Sequence, residues 1–193
     1  WDEFAIPPFF DALKITEARK PSVIVGGRGC GKTSLLRYLC HESQFSPKRN
    51  EIQDKDLEHI GVYWKIDTHF AKILSRRSLE DDTWNSAFEH LAVLSMAEEI
   101  LKSLDTLANS VYRKFNHEDL DKLDFCILES FNEGIPRGFK DLKVYIRKEI
   151  NRFLTWSSNI RTIQQPVLLP KRFLLELVTE IKSQSRALSN TSY

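Results

Sequence analysis

Cysteine and long apolar runs are scarce in this 193-residue chain, and each scarcity excludes a class of protein. The three cysteines, Cys30, Cys40 and Cys126, are an odd number without a Cys-x-x-Cys pair. We therefore expect neither a disulfide framework nor a zinc site, and we expect the reducing cytoplasm as the location. No apolar run approaches the roughly 18–20 residues of a membrane helix, so no membrane contact is expected. The acidic, proline-interrupted start does not resemble a secretory signal.

An excess of charge of one sign is also lacking, because 28 lysines and arginines face 27 acids. Net charge therefore says nothing about partners. Hydrophobic residues make up 41% of the chain, and twelve Phe, four Trp and five Tyr supply the bulk of a real core. This composition excludes a disordered chain. The length suits one domain, or one domain with an appended subdomain.

The most specific pattern is a glycine-rich run that matches Gly-x-x-x-x-Gly-Lys-Ser/Thr without a mismatch, Gly26–Thr33. Glycines allow backbone conformations in which N–H groups surround phosphate oxygens. We expect Lys32 to reach the β- and γ-phosphates as the catalytic cation, and the Thr33 hydroxyl to bind Mg²⁺. The predicted contacts to ATP are Gly26, Gly27, Arg28, Gly29, Cys30, Gly31, Lys32, Thr33 and Ser34.

The neighbours of this run fit the same interpretation. A β-branched run at 22–25 predicts a strand before the loop, and the leucines of Ser34–Glu42 predict a helix after it. No Asn/Thr-Lys-x-Asp element for guanine is present, which favours ATP over GTP. Cys30 has two interpretations: a small side chain that fits the loop, or a reactive thiol whose alkylation blocks nucleotide binding.

The rest of the chain predicts one more strand and several helices. The strand is Ile60–Asp67, rich in β-branched and aromatic residues. Apolar spacing predicts a short helix from about Pro8, a long helix capped by Asp82 or Thr83, and further helices over Leu120–Phe131, over Phe139–Phe153 and around Phe173–Ile181. The predicted fold is α/β, an AAA-like P-loop NTPase core with an incomplete parallel sheet and a largely helical insertion. The predicted domains are residues 1–80 for the nucleotide-binding core, 81–165 for the insertion and 166–193 for a return toward the core.

A P-loop site that hydrolyses ATP also needs a carboxylate at the end of a buried strand. Asp67 ends the Ile60–Asp67 segment, but Lys65 interrupts its apolar run, so a turn-capping role is favoured. Glu129 follows four suitable residues, although helical spacing around it favours a solvated helix position. We therefore expect the N-terminal portion of a larger ATPase, with the acidic strand beyond Tyr193.

Residues 9 to about 88 resemble bacterial AAA-type ATPases related to origin-recognition proteins. The resemblance lies in three segments, Val23–Leu39, Gly61–Phe70 and the helix with Trp84, Phe88, His90 and Leu91. By match, Gly26, Gly31, Lys32 and Thr33 carry over as ATP and Mg²⁺ contacts. The resemblance implies that the acidic strand comes after a long helical insertion. It also implies a nucleotide-driven switch, often in antiviral defence, that works as a homo-oligomer or with an effector protein.

Two alternatives belong to other functional classes. Between Arg137 and Arg172 the chain holds nine basic residues and only two acids, with Lys140, Lys143 and Arg147 on one helical stripe. This stripe predicts either nucleic-acid binding by a P-loop motor or clamp, or docking on the acidic segment Asp105–Glu133 of the same chain. The other alternative is a small-molecule P-loop kinase with Arg76-Arg77 as its lid, although a plain exposed pair is favoured there.

Overall fold

Helices dominate the computed structural model, which describes residues 23–65, 80–112, 114–160 and 162–190. Six α-helices lie in these ranges: α1 (Lys32–Tyr38), α2 (His41–Gln44), α3 (Asp81–Ala108), α4 (His117–Asp121), α5 (Phe139–Ser158) and α6 (Lys171–Asn190). Two 3₁₀ helices, Asp54–Leu57 and Cys126–Ser130, lie between them. No helix in these ranges is both long and apolar enough to cross a bilayer.

The long helix α3 is the centre of the packing. It contacts α2, α4, α5 and α6, so side chains around most of its circumference are buried. The main core gathers apolar side chains from all of these elements, among them Phe45, Leu94, Leu101, Phe125, Leu142, Ile146 and Phe173. A helix that is covered on several sides is held by tertiary packing more than by its own propensity.

Three predicted helices are confirmed. The helix predicted to be capped by Asp82 or Thr83 is α3, whose N-cap is Glu80, two or three residues earlier. The periodicity of Phe139–Phe153 produces α5, whose apolar residues at those positions are buried against α3. The last helix starts directly after Pro170 as α6, with Phe173 and Leu177 buried. Strong 3.6-residue periodicity was a sufficient signal in each case.

The helix predicted over Leu120–Phe131 is wrong as one element. Asn116 caps α4 through a capping box with Asp119, and α4 already ends at Asp121. Beyond it, Asp124 forms an isolated antiparallel bridge with Gly138, and the Phe125 N–H donates to the Arg137 carbonyl over 2.9 Å. These backbone bonds interrupt the helix before the 3₁₀ helix begins at Cys126.

The predicted α/β fold with an incomplete parallel sheet is contradicted, because the described residues contain no strand. They contain two isolated bridges, Cys40 with Gly61 and Asp124 with Gly138. Val23 and Val25, in the predicted first strand, are 86% and 88% exposed. β-Branched residues favour extended backbone, but a strand forms only where a neighbouring strand completes its hydrogen bonds and covers its side chains. Residues 62–65 of the second predicted strand are likewise unpaired.

Several expectations fall outside the described residues or are not tested there. The helix from about Pro8, Asp67 and the pair Arg76-Arg77 lie outside the described ranges. The domain boundaries at 80 and 165 stay predictions. Phe45 and Ile52, from the first predicted domain, belong to the same hydrophobic core as α3, α5 and α6.

A smaller cluster lies at the start of α3, where Ala87, Phe153 and Trp156 are buried together. His90 packs edge-on against Phe153, with ring centroids 4.9 Å apart. Its Nδ1 accepts the Leu169 N–H over 2.8 Å, so the neutral ring carries its proton on Nε2, which has no partner among the described residues. Burial without a counter-charge lowers the pKa of His90 to about 4.

We predict that His90 makes the fold acid-sensitive. Because the pKa is about 4 in the folded chain and about 6.5 in the unfolded chain, the unfolded state binds more protons between these values. The contribution of neutral His90 to the free energy of unfolding is therefore fully present above about pH 6.5. It falls by on the order of 3 kcal/mol as the pH falls toward 4. In His90→Asn, the amide oxygen replaces Nδ1 as acceptor. Urea unfolding at several pH values should then show a smaller loss of the free energy of unfolding at low pH than in the wild-type chain. An unchanged decline would contradict this assignment.

Candidate functional site

The glycine-rich loop has the backbone that its sequence predicts. Gly29 and Gly31 have φ angles of 84° and 80°, in the left-handed region that other residues rarely adopt. Gly31 is also the residue that precedes α1, so the loop leads directly into a helix. Residues 25–31 are all exposed. The loop therefore presents its backbone to solvent and not to a packed core.

The Lys32 side chain reaches back to the start of the loop, and we call the loop closed by these contacts the ring. The Lys32 Nζ donates to the Gly26 and Gly27 carbonyl oxygens, each over 2.6 Å, and lies 3.4 Å from the Cys30 Sγ. Both carbonyls are neutral acceptors. The ammonium donor already makes these bonds charge-assisted, and a phosphate oxygen in the same place would add the attraction of a full negative charge. The ammonium group is thus positioned for an anion at the loop.

The remaining groups of the loop also fit a triphosphate with Mg²⁺. The first backbone bond of α1 runs from the Leu35 N–H to the Gly31 carbonyl over 2.9 Å. The N–H groups of residues 32–34 consequently have no acceptor within the helix and can donate to an anion. Thr33 and Ser34 are exposed, and the described residues offer no hydrogen bond to either hydroxyl. Thr33 is therefore free to supply a metal ligand.

Cys30 fills the space beside Gly26. A Cβ atom built on Gly26 would lie 2.7 Å from the Cys30 Sγ, which is closer than real Cβ contacts. Nothing lies within 4 Å of a Cβ built on Gly27. Cys30 is exposed and not disulfide-bonded, so the alkylation hypothesis stays a prediction.

Directly after α1, the chain changes direction at Leu39 and Cys40, and we call this segment the corner. The predicted helix Ser34–Glu42 is in fact α1 and α2, separated by Leu39 and Cys40. The Arg37 carbonyl accepts three bonds at this corner, from the Cys40 N–H at 3.2 Å, the Cys40 thiol at 2.8 Å and the Ser43 hydroxyl at 2.8 Å. Three donors on one carbonyl fix the angle between the two helices.

Gly61, which lies later in the chain, forms backbone hydrogen bonds that stabilise the same corner. Its carbonyl accepts the His41 N–H over 2.8 Å, and its N–H donates to the Gln44 Oε1 over 3.2 Å. A Cβ atom at Gly61 would lie 1.9 Å from the Leu39 carbonyl oxygen. The two backbones can approach this closely only because residue 61 has no side chain.

His41 ties the corner to α3. It is 2% exposed, and its Nδ1 lies 3.0 Å from the Thr106 Oγ1. The Thr106 hydroxyl donates its own proton to the Lys102 carbonyl over 2.9 Å, so the network assigns the imidazole proton to Nδ1. Burial lowers the pKa of His41, although Glu42 and Glu99 oppose this. The neutral imidazole is therefore the donor in this contact.

Other residues considered in the sequence lie apart from this loop or outside the described residues. Glu129 lies in a 3₁₀ helix, where both of its oxygens accept from Arg137 over 2.6 and 2.8 Å. This pairing agrees with the helical, solvated interpretation of Glu129. The described residues contain no group of three or more His, Cys, Asp or Glu that could hold a metal ion.

The basic stripe of α5 is paired within the chain. Lys140 contacts Asp121 at 2.8 Å, Lys143 contacts Asp105, and Arg147 contacts Glu98 at 2.7 Å. Asp105 and Asp121 both belong to the acidic segment Asp105–Glu133 that the sequence proposed as an internal mate. These contacts favour internal docking over a free stripe, and nucleic-acid binding stays a prediction.

Sequence reasoning missed Gly61 and His41 as supports of the site. Gly61 entered only as part of a predicted strand, and His41 was not singled out. The available signal was weak: Gly61 is a glycine inside a β-branched and aromatic segment, where it often marks close backbone approach.

The chain matches a family model described as ORC-CDC6-like over residues 1–193. Comparisons with curated proteins and with solved structures found no match. The family match covers the whole chain and therefore includes the loop and all six helices. It agrees with the resemblance that the loop and its neighbours suggested.

We predict that Gly61→Ala destabilises the corner. The new methyl group would overlap the Leu39 carbonyl, so the two backbones must separate, at a cost of about 1–3 kcal/mol. Thermal unfolding should show the loss. Gly134→Ala is the matched control, because its Cβ would lie 3.5 Å from the nearest atom, an ordinary contact. Equal melting temperatures for the two variants would argue against the close approach at Gly61.

We also predict that the loop responds differently to alanine at its first two glycines. Gly26→Ala should distort the ring because of the Cys30 Sγ, whereas Gly27→Ala has open space. ATP–Mg²⁺ titration should therefore show weaker binding for Gly26→Ala than for Gly27→Ala. Adding Cys30→Ala to Gly26→Ala removes the obstructing sulfur and should restore most of the affinity. A double variant as weak as Gly26→Ala alone would disprove this cause.

Proposed function

Since the chain belongs to the ORC-CDC6-like family of AAA-type ATPases, we propose that residues 26–34 bind ATP with Mg²⁺ and that nucleotide binding drives a conformational switch. In this proposal Lys32 binds the β- and γ-phosphates, the loop amides bind phosphate oxygens and Thr33 binds the metal. The proposal includes hydrolysis of ATP by the full-length protein. An antiviral setting, with a homo-oligomer or an effector as partner, stays a prediction from the resemblance.

The proposal depends mainly on one observation, the ring that Lys32 forms with the Gly26 and Gly27 carbonyls. The ring places a cation and the unpaired amides of residues 32–34 around one exposed loop. A mobile lysine in solution would have to be ordered on binding, whereas this one already lies at the loop. Bound Mg²⁺ would supply charge neutralisation, and the chain supplies positioning and electrostatic stabilisation.

The helices that come after the loop support the switch. α1 is only seven residues long, and its far end is fixed to α2 by the Arg37 carbonyl. α2 is fixed to α3 by His41, and α3 contacts α5 and α6. A change in the position of Lys32 therefore has a short, hydrogen-bonded path to the central helix.

The alternatives have less support in the described residues. A nucleic-acid motor or clamp would need free cations on the α5 stripe, where Lys140, Lys143 and Arg147 each contact an acid. For the small-molecule kinase, the proposed lid Arg76-Arg77 lies outside the described residues. The ATP-driven switch is the function that we propose.

We predict that Lys32→Ala weakens ATP–Mg²⁺ binding by about tenfold to a hundredfold, because a charge-assisted contact is lost. Isothermal titration calorimetry measures the change, and circular dichroism should show an unchanged helical content, since Lys32 lies on the exposed loop.

Lys122→Ala is the control, because it removes an exposed ammonium group that contacts Asp119 on α4. This variant should bind ATP like the wild-type chain. Competition with GTP distinguishes the base: the proposal expects ATP to be preferred. Full affinity in Lys32→Ala would refute the assignment of the phosphate site to this loop.

A further inference from the structure

A groove of about 340 Å³ lies between α3 and α5. Two aliphatic side chains line it, Leu101 from α3 and Val144 from α5. Leu101 is fully buried, but Val144 is 52% exposed in the middle of its helix. Of the two, only Val144 presents apolar surface to solvent, and it lies over the buried Leu101.

Cations surround these two side chains. Lys102 lines it from α3, and Lys143, Arg147 and Lys148 line it from α5, while Glu98 is the one acid among the lining residues. Glu98 accepts from Arg147 over 2.7 Å and lies 3.7 Å from Lys102. The groove therefore combines an aliphatic floor with a predominantly positive rim.

The rim has more hydrogen-bond donors than its acids can accept. A guanidinium group offers five N–H donors and an ammonium group offers three. Within the described residues, Arg147 uses one donor for Glu98, and Lys143 pairs with Asp105 outside the groove. Lys148 is exposed and forms no ion pair or hydrogen bond with a side chain in this part of the chain. An anionic ligand would find free donors here.

We propose that this groove docks an acidic amphipathic helix of a partner protein. An aliphatic side chain of the partner packs on Val144, and carboxylates on either side of it accept from Lys148 and Arg147. This is recognition of a helix in a groove, with apolar contact for affinity and charge for orientation. The proposal does not depend on nucleotide binding.

The shape of the surface favours a helix. Along α5, the exposed side chains continue from Val144 through Arg147 and Asn151 to Leu154, which is 40% exposed. These positions share one face of α5 and span about 15 Å, the length of nearly three turns of a docked helix. A single small anion would contact only a small part of this face.

The chemistry of the groove favours protein over nucleic acid. No aromatic side chain is among the residues that line it, so bases would have no stacking surface. An aliphatic floor with a few free donors matches a leucine flanked by glutamates.

The test uses a fluorescein-labelled model helix of about 18 residues, built from leucine, glutamate and alanine, and measures fluorescence anisotropy with the whole chain. We expect saturable binding that weakens with salt. Val144→Glu and Lys148→Glu should each weaken binding by at least about tenfold. Both residues are exposed, so circular dichroism should show that the variants fold.

Lys171→Glu is the matched control, because it makes the same charge change at an exposed lysine on α6 and should leave binding unchanged. A model helix with lysine in place of glutamate should not bind. Absence of binding to the acidic helix, or equal binding by all three variants, would overturn the proposal. Tighter binding of a single-stranded oligonucleotide, lost in Lys148→Glu, would overturn it in favour of nucleic acid.

Discussion

The corner between α1 and α2 is the connection on which the candidate site depends, because it joins the glycine loop to the helical body. Its geometry is over-determined: one carbonyl, that of Arg37, accepts three donors, and Gly61 approaches so closely that no side chain fits. Each neutral hydrogen bond contributes only about 1 kcal/mol net. Together with the buried contact of His41 to Thr106, however, they leave α1 and α2 little freedom to move separately. The loop and α3 therefore behave as linked parts.

Charge and apolar burial have separate roles in the helical body. The pairs of α5 with α3 and α4 are mostly exposed, so each contributes about 0–1 kcal/mol, and salt weakens it. Buried side chains such as Leu142 and Ile146 contribute about 1.5–3 kcal/mol each and supply most of the stability. The ion pairs lie at the edges of the buried face of α5 that meets α3. Where this pairing is incomplete, at Lys148, the surface keeps positive charge available for a partner.

The sequence predicted what depends on local pattern and missed what depends on contacts between distant segments. The loop is encoded by eight consecutive residues, and α3, α5 and α6 are encoded by apolar spacing, which packing against the core then satisfies. The strands at 22–25 and 60–67 were predicted from propensity alone, but no neighbouring strand pairs with Val23 or Val25 in the described residues. The corner at Cys40 could not be predicted either, because it needs Gly61, twenty-one residues later, and Thr106 on α3. For the Arg137–Arg172 segment, the sequence did propose the acidic segment that supplies Asp105 and Asp121, but it did not point to Glu98 on α3.

The two ends of α1 lie close together, so a displacement of one end affects the other. Seven helical residues span only about 10 Å, with Lys32 at the first position and Arg37 near the last. Lys32 contacts the Gly26 and Gly27 carbonyls, and these bonds hold the loop against the start of the helix. In the proposed function, a polyphosphate bound at the loop would compete with the two carbonyls for the ammonium group, and the loop could then reposition on its two left-handed glycines. Because the far end of α1 is fixed at the corner, the helix cannot absorb this change by swinging alone. In the proposed function, such a displacement would pass to α2 and, through His41, to α3, and for this reason we propose a switch and not a passive binding site.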